Sequence, residues 1–240
     1  MKTIKQWLNS KEIKKLQKES ITKLITKDFF RDPFRPLYYN PKVFLSPADG
    51  IVLYTYDRIG PTDKIVEIKG VNFTIQDLLH DKNYNEESLI IGIFMTLFDV
   101  HINRVPIDSY MSESIDTEFI YTHNSSMYFF EQNLLNDLKI NPDNMGYLFK
   151  NEKVISTFYC SKIRDEYYIV QIADKDVNAI VNWVDEGDFI QQAERFGMVR
   201  WGSQVDIVIP VNEIINYEIL VKPYYHIEGG IDKIIRIKNE

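Results

Sequence analysis

A chain of 240 residues, 45% hydrophobic and 13% aromatic, holds ample material for one large packed domain and is not a disordered segment. Its single cysteine, Cys160, excludes a disulfide framework and any multi-cysteine zinc site, and fits a reducing compartment. The net charge of −7 is uneven: residues 2–27 carry eight lysines against Glu12 and Glu19, a balance of +6 that leaves −13 to the rest. An acidic body with one basic arm argues against nucleic-acid binding, which needs a broad basic face, and favours an arm that meets an anionic surface.

The first residues lack the apolar core and small-residue cleavage site of a signal peptide. Asn9, with Glu12 three positions later, reads as a helix N-cap with a capping box. No Gly or Pro interrupts residues 10–27, and Ile13, Leu16, Ile21, Leu24 and Ile25 recur at roughly helical spacing, with lysines opposite. One amphipathic helix is expected there, ending near Arg31-Asp32-Pro33 because the residue before proline avoids helical geometry. Such a helix either docks on the body through its apolar stripe or lies on anionic lipid, with Trp7 and Leu8 as an apolar anchor.

From Val43 onward, short runs rich in Val, Ile, Tyr and Phe alternate with turn signals. Strands are expected over 51–56, 64–69, 88–94, 167–172 and 205–209, and helices over 74–79, 127–138 and 174–184. The longest apolar run, 89–98, is about half of the ~20 residues that cross a bilayer, so no spanning segment is expected. The fold class is therefore α+β and mainly antiparallel β, a barrel-sandwich-like body at 29–240 preceded by a basic amphipathic helix at 1–28.

Three places hold side chains suited to chemistry. Ser46-Pro47-Ala48-Asp49-Gly50 before a β run is, taken alone, a turn that opens a strand. Asp99-Val100-His101-Ile102-Asn103-Arg104-Val105-Pro106 follows a strongly apolar strand, and alternation puts Asp99, His101 and Asn103 on one side. Gly202-Ser203 before a strand is an ordinary turn pair, and without a Gly-x-Ser-x-Gly elbow it does not indicate a hydrolase nucleophile. No His-x-x-x-His pair or clustered carboxylates suggest a metal site, so no metal is expected, and no phosphate-binding glycine loop occurs.

In order and wording, these segments resemble the phosphatidylserine decarboxylase family, and its short form more closely. Phe196-Gly197-Met198-Val199-Arg200-Trp201-Gly202-Ser203-Gln204-Val205-Asp206 is similar to that form's processing segment. Phe29-Phe30-Arg31-Asp32-Pro33-Phe34-Arg35, Leu45-Ser46-Pro47-Ala48-Asp49-Gly50, Val66-Glu67-Ile68-Lys69-Gly70, the Asp99–Pro106 run, Lys150-Asn151-Glu152 and Glu186-Gly187-Asp188 follow the same pattern over about residues 29–210. The chain departs from it at Arg104, where longer members have a second histidine, and at Ala193 and Gln204, where Gly and Arg are common. The basic helix stands where a spanning segment is usual.

The resemblance implies a proenzyme that cuts itself between Gly202 and Ser203 and converts Ser203 into a covalent pyruvoyl cofactor. It implies phosphatidylserine as substrate, phosphatidylethanolamine and CO2 as products, and a Schiff base between substrate amine and pyruvoyl. A hydroxyl nucleophile needs a base, usually a histidine oriented by a carboxylate, and His101 and Asp49 are the candidates. His80, His123 and His226 lie outside the matched segments and are expected to be dispensable for processing. Fragments 1–202 and 203–240 should stay associated, at the cytoplasmic face of an anionic membrane, and a homo-oligomer remains open. The alternatives are a pyruvoyl-dependent decarboxylase of a soluble amino acid or related serine phospholipid, and a non-enzymatic lipoyl- or biotinyl-carrier-like module. A carrier needs a lysine at a hairpin tip flanked by Met, and none is found.

Overall fold

The computed structural model describes residues 1–36, 38–117, 125–174, 180–200 and 203–238. Its centre is an antiparallel nine-stranded sheet in the order Lys2–Thr3, Tyr225–Ile227, Gly50–Ile59, Ser88–Met95, Ser203–Pro210, Asp165–Ala173, Lys153–Cys160, Ser109–Asp116 and Phe189–Ile190. The Ser88–Met95 and Ser203–Pro210 strands are buried along their whole length. That is why their sequences read as continuous apolar runs instead of alternating ones.

Side chains leave these strands alternately for two cores. Ile90, Phe94 and Val208 join one that includes Phe130, Leu134 and Tyr147 from the helices Tyr128–Asn136 and Tyr147–Lys150. Ile91, Ile93, Met95, Val205, Ile207 and Ile209 join the other, with Phe44, Phe196 and Ile235 from two three-stranded sheets. One of these sheets is Asn216–Ile219, Lys233–Lys238 and Val43–Leu45; the other is Ile180–Asn182, Arg195–Val199 and Ile102–Arg104. Strand Ile180–Asn182 stands in the second half of the helix expected over 174–184, of which residues 175–179 lie outside the described residues. Its β-branched Ile180 and Val181 pair with Val199 and Met198, and tertiary pairing outweighs weak helix propensity there.

The basic arm forms short pieces where one helix was expected. Ile4–Leu8 starts at a Thr3/Gln6 capping box, Lys11–Leu16 at Ser10, and a further helical stretch at Ser20. Each serine hydroxyl accepts a backbone N–H, from Ile13 at 3.3 Å and from Lys23 at 3.2 Å. The N-cap is thus Ser10, one residue beyond Asn9, and Ser20 restarts the chain where the pattern alone ran on. Ile4, Trp7, Ile13, Leu16 and Leu24 belong to the same core as the central sheet. Trp7 is therefore no lipid anchor: it stacks on His226 at 4.4 Å and lies near Phe98. No helix among the described residues is long and apolar enough to cross a membrane.

Glycine is needed at one point of the Ser88–Met95 strand. A Cβ on Gly92 would overlap the Tyr54 ring and lie 2.8 Å from Asp206 Oδ1, so only glycine lets that pair cross the strand.

Candidate active site

Ser203 opens the central strand, opposite Met95 on one side and Ala173 on the other. It is fully buried, and its hydroxyl donates to Met95 Sδ at 3.0 Å, a weak acceptor that leaves the oxygen lone pairs available. The three-stranded sheet carrying Ile102–Arg104 covers this end of the large sheet. Val199 and Ile180 from the cover form an apolar cluster with Ala173 and Val154 from below. Asn103 Nδ2 lies 3.7 Å from Met95 Sδ, and Gln171 Nε2 donates to Asn103 Oδ1 at 2.8 Å. Asn103 thereby tethers the cover to the serine's surroundings.

His101 precedes that short strand, with its carbonyl accepting Val199 N–H at 3.1 Å. Its imidazole is fully buried and stacks on Phe29, centroids 4.1 Å apart. Nδ1 lies 3.0 Å from the Asp99 carbonyl oxygen. A carbonyl only accepts, so Nδ1 carries the proton and Nε2 presents its lone pair. Nε2 has no hydrogen-bond partner among the described residues. Burial lowers the imidazole pKa to about 4, against the opposing pull of Asp99. The ring is thus neutral at physiological pH, as a base must be.

Asp49 is engaged elsewhere than expected. Its carboxylate takes both guanidinium nitrogens of Arg35, at 2.7 and 2.6 Å, and the Gly229 N–H at 2.7 Å. No hydrogen bond of Asp49 goes to His101; the Asp99 backbone orients that ring. Asp49 still favours the charged imidazole through space, as a smaller influence than Asp99. Of the three predicted catalytic side chains, none is hydrogen-bonded to another. Gly202 and His123 lie outside the described residues.

The sequence reading gave several site residues no role. Asp99 accepts from Thr96 N and Oγ1, both at 2.8 Å, and pairs with His226 Nε2 at 2.7 Å. Burial would raise the Asp99 pKa, but the His226 and Thr96 interactions more than offset it and the net shift is downward. His226, outside every matched segment, thus braces the residue that orients His101. It also lines a cavity of about 330 Å³ with Trp7, Arg31, Arg35, Asp49 and Asp99. Arg104 bonds the Ala193 carbonyl at 2.9 Å and Asp32 at 3.1 Å, locking the Phe29–Arg35 segment to the cover. Gln171 gave a readable signal, an amide inside an otherwise apolar strand pattern.

On the opposite face of the serine strand, Gln204 Nε2 donates to Tyr54 Oη and Asp206 Oδ1, both at 2.8 Å. Gln204 Oε1 accepts from Tyr147 at 2.7 Å, and Tyr54 donates to Asp206 Oδ2 at 2.8 Å. Burial raises the Asp206 carboxyl to about 7. This satisfied network fixes the strand immediately after Ser203.

The arrangement defines a class: a layered, mainly antiparallel β protein with a serine buried at the head of its central strand, beneath a sheet bearing a neutral histidine. The sequence profile described as phosphatidylserine decarboxylase matches residues 23–234. The chain belongs to the phosphatidylserine decarboxylase family. It is 31% identical over 191 residues to a phosphatidylserine decarboxylase proenzyme of Desulfotalea psychrophila, covering 80% of this chain and 71% of that one. It is 30% identical over 196 residues to a Methanothermobacter thermautotrophicus protein named, provisionally, archaetidylserine decarboxylase proenzyme, covering 81% and 72%. A phosphatidylserine decarboxylase proenzyme of Carboxydothermus hydrogenoformans is 27% identical over 223 residues, covering 88% and 78%.

Proposed function

We propose that this chain is a self-processing phosphatidylserine decarboxylase that forms phosphatidylethanolamine and CO2, with Ser203 as the source of a pyruvoyl cofactor. The observation that carries the reading is Ser203, buried at the first position of a strand paired on both sides. Scission just before it leaves the new terminus held by two ladders, and that is what a cofactor made from the chain requires. The same pairing keeps fragments 1–202 and 203–240 together.

In self-processing the Ser203 hydroxyl attacks the Gly202 carbonyl carbon, and the peptide C–N bond gives way to an ester. Elimination then breaks the serine Cβ–Oγ bond and releases residue 202 as a carboxylate. Hydrolysis of the dehydrated residue 203 expels ammonia and leaves the pyruvoyl carbonyl. His101 Nε2 is the base for the hydroxyl proton, with its tautomer set by the Asp99 carbonyl. Asp49 keeps a supporting role by fixing Arg35 and the Gly229 turn. The pyruvoyl carbonyl supplies the electron sink for the carbanion left by CO2. His101 is also the group that returns a proton to carbon.

The substrate is tested by incubating purified protein with phosphatidylserine, archaetidylserine or free serine, in detergent micelles for the two lipids, and weighing the products. Phosphatidylethanolamine from phosphatidylserine is expected. Turnover of archaetidylserine alone would favour the related-lipid reading, which the Methanothermobacter relative's name supports, and turnover of serine alone would overturn both.

The layered body, read as barrel-sandwich-like, would meet the cytoplasmic membrane surface through its arm. Ile13, Leu16 and Leu24 of the arm's apolar stripe are docked, but Ile21 of that stripe is exposed, as are most of the arm's lysines and Phe34 (94% exposed). Basic residues near an anionic leaflet contribute about 1 kcal/mol each, less as salt rises. Co-sedimentation should therefore increase with the phosphatidylserine content of vesicles and decrease with salt. Indifference to anionic vesicles would leave the arm a structural element alone.

A further inference from the structure

The space between two packed sheets is normally filled by apolar side chains. Between the Ser203 end of the large sheet and its covering sheet, a group of amides lies beside the apolar cluster of Val154, Ala173, Ile180 and Val199. Gln171 is fully buried, and its register opposite Val205, two residues from the Ala173–Ser203 pair, makes it the diagonal neighbour of Ser203 on one face. Asn103, Gly197 and Asn182 form one row across the cover. A Cβ on Gly197 would lie 2.7 Å from Asn182 Oδ1 and 3.2 Å from Gln171 Nε2, so glycine is what lets the two amides approach.

Their donors are used. Gln171 Nε2 bonds Asn103, and Asn182 Nδ2 bonds Ser114 Oγ at 3.0 Å and Ser156 Oγ at 3.1 Å. Six buried side-chain polar atoms lack partners among the described residues; apart from Asp28 Oδ2, Arg104 Nε and Tyr217 Oη, they are Gln171 Oε1 and Asn182 Oδ1 of this group and His101 Nε2. Buried polar atoms are nearly always hydrogen-bonded, so each exception needs a cause. The last three are all acceptors, and acceptors alone suit a donor-rich ligand. A phosphate or carboxylate would need N–H groups aimed at it.

We propose that these amides bind the primary amine of the substrate head group, with Gln171 Oε1 and Asn182 Oδ1 accepting its N–H groups and His101 Nε2 as a third acceptor. The inference rests on the pyruvoyl reading above and adds the residues that choose an amine. A glycerol head group offers one donor per hydroxyl and no positive charge, against three N–H donors from one ammonium, and so fits three converging acceptors less well.

The test uses self-cleaved protein and sn-glycero-3-phosphoethanolamine, a soluble amine that cannot be decarboxylated. Its amine condenses with the carbonyl with loss of water, and cyanoborohydride supplies the hydride that fixes the bond. Capture is read as the mass gain of fragment 203–240, per carbonyl counted with phenylhydrazine. Gln171→Leu should raise the half-capture concentration roughly tenfold to a hundredfold, as expected for losing a hydrogen bond to a charged group. Asn182→Ala, at a less buried position, should raise it severalfold and decides the matter if the leucine variant does not fold. Gln171→Glu keeps an oxygen in place and should recover most of the loss, which mere packing damage would not allow. An unchanged half-capture concentration in both Gln171→Leu and Asn182→Ala overturns the proposal. A wild-type chain without a hydrazine-reactive carbonyl overturns the functional reading first, and this with it.

Discussion

Replacing Ser203 with alanine is expected to leave the chain at its full 240 residues, with no carbonyl group and no decarboxylation. The substitution removes the hydroxyl proposed to attack the preceding peptide bond. Its structural cost is small, because the lost partner is Met95 Sδ, a weak acceptor that leaves no strong polar group unpaired. The strand remains paired through backbone groups on both sides. A stability change of about 1 kcal/mol or less is expected, so loss of cleavage in a normally melting protein is attributable to chemistry. Cleavage of Ser203→Ala at the wild-type rate would remove Ser203 from the mechanism.

His101→Ala should slow self-cleavage by about 10²–10⁴-fold, the range for removing a positioned base. The ring also packs on Phe29, so melting curves must accompany the rates. The pH dependence separates the two effects. With a folded pKa lowered to about 4 by burial, His101 is neutral and competent across the physiological range. Because protonation removes the lone pair, the wild-type rate should hold steady down to about pH 5 and fall as pH passes through about 4. The alanine variant should lack that limb. An inflection at the ordinary 6.5 would show a solvated imidazole and contradict the buried geometry. Bracing by His226 and Asp99 belongs to the same account, since their 2.7 Å contact fixes the segment whose carbonyl sets the tautomer.

The central strands were legible because strands buried on both faces carry unbroken apolar runs, as 88–95 and 203–210 do. The strand at 180–182 was not, because its pairing with 197–199 is non-local and its own pattern is weak. The single arm helix failed on local chemistry: Ser10 and Ser20 cap new helical starts inside an apolar periodicity that continues through them. Within the site, ordered motifs brought out Ser203, His101 and Asp49, but motifs do not state partners. The fold puts Arg35 on the Asp49 carboxylate and leaves the orienting of His101 to the Asp99 backbone carbonyl. His226 is 127 residues from Asp99 in the chain, and no spacing rule reaches that far. Gln171 was visible as a polar residue in an apolar strand, yet its meaning depends on the covering sheet opposite it.

The most direct test of the account is the intact mass of the purified protein under denaturing conditions, alongside the Ser203→Ala variant. The wild type should resolve into fragments 1–202 and 203–240, the smaller blocked to N-terminal sequencing and shifted by phenylhydrazine, while the variant stays whole. A wild-type chain that remains uncut under all conditions, with no hydrazine-reactive group, would contradict the account.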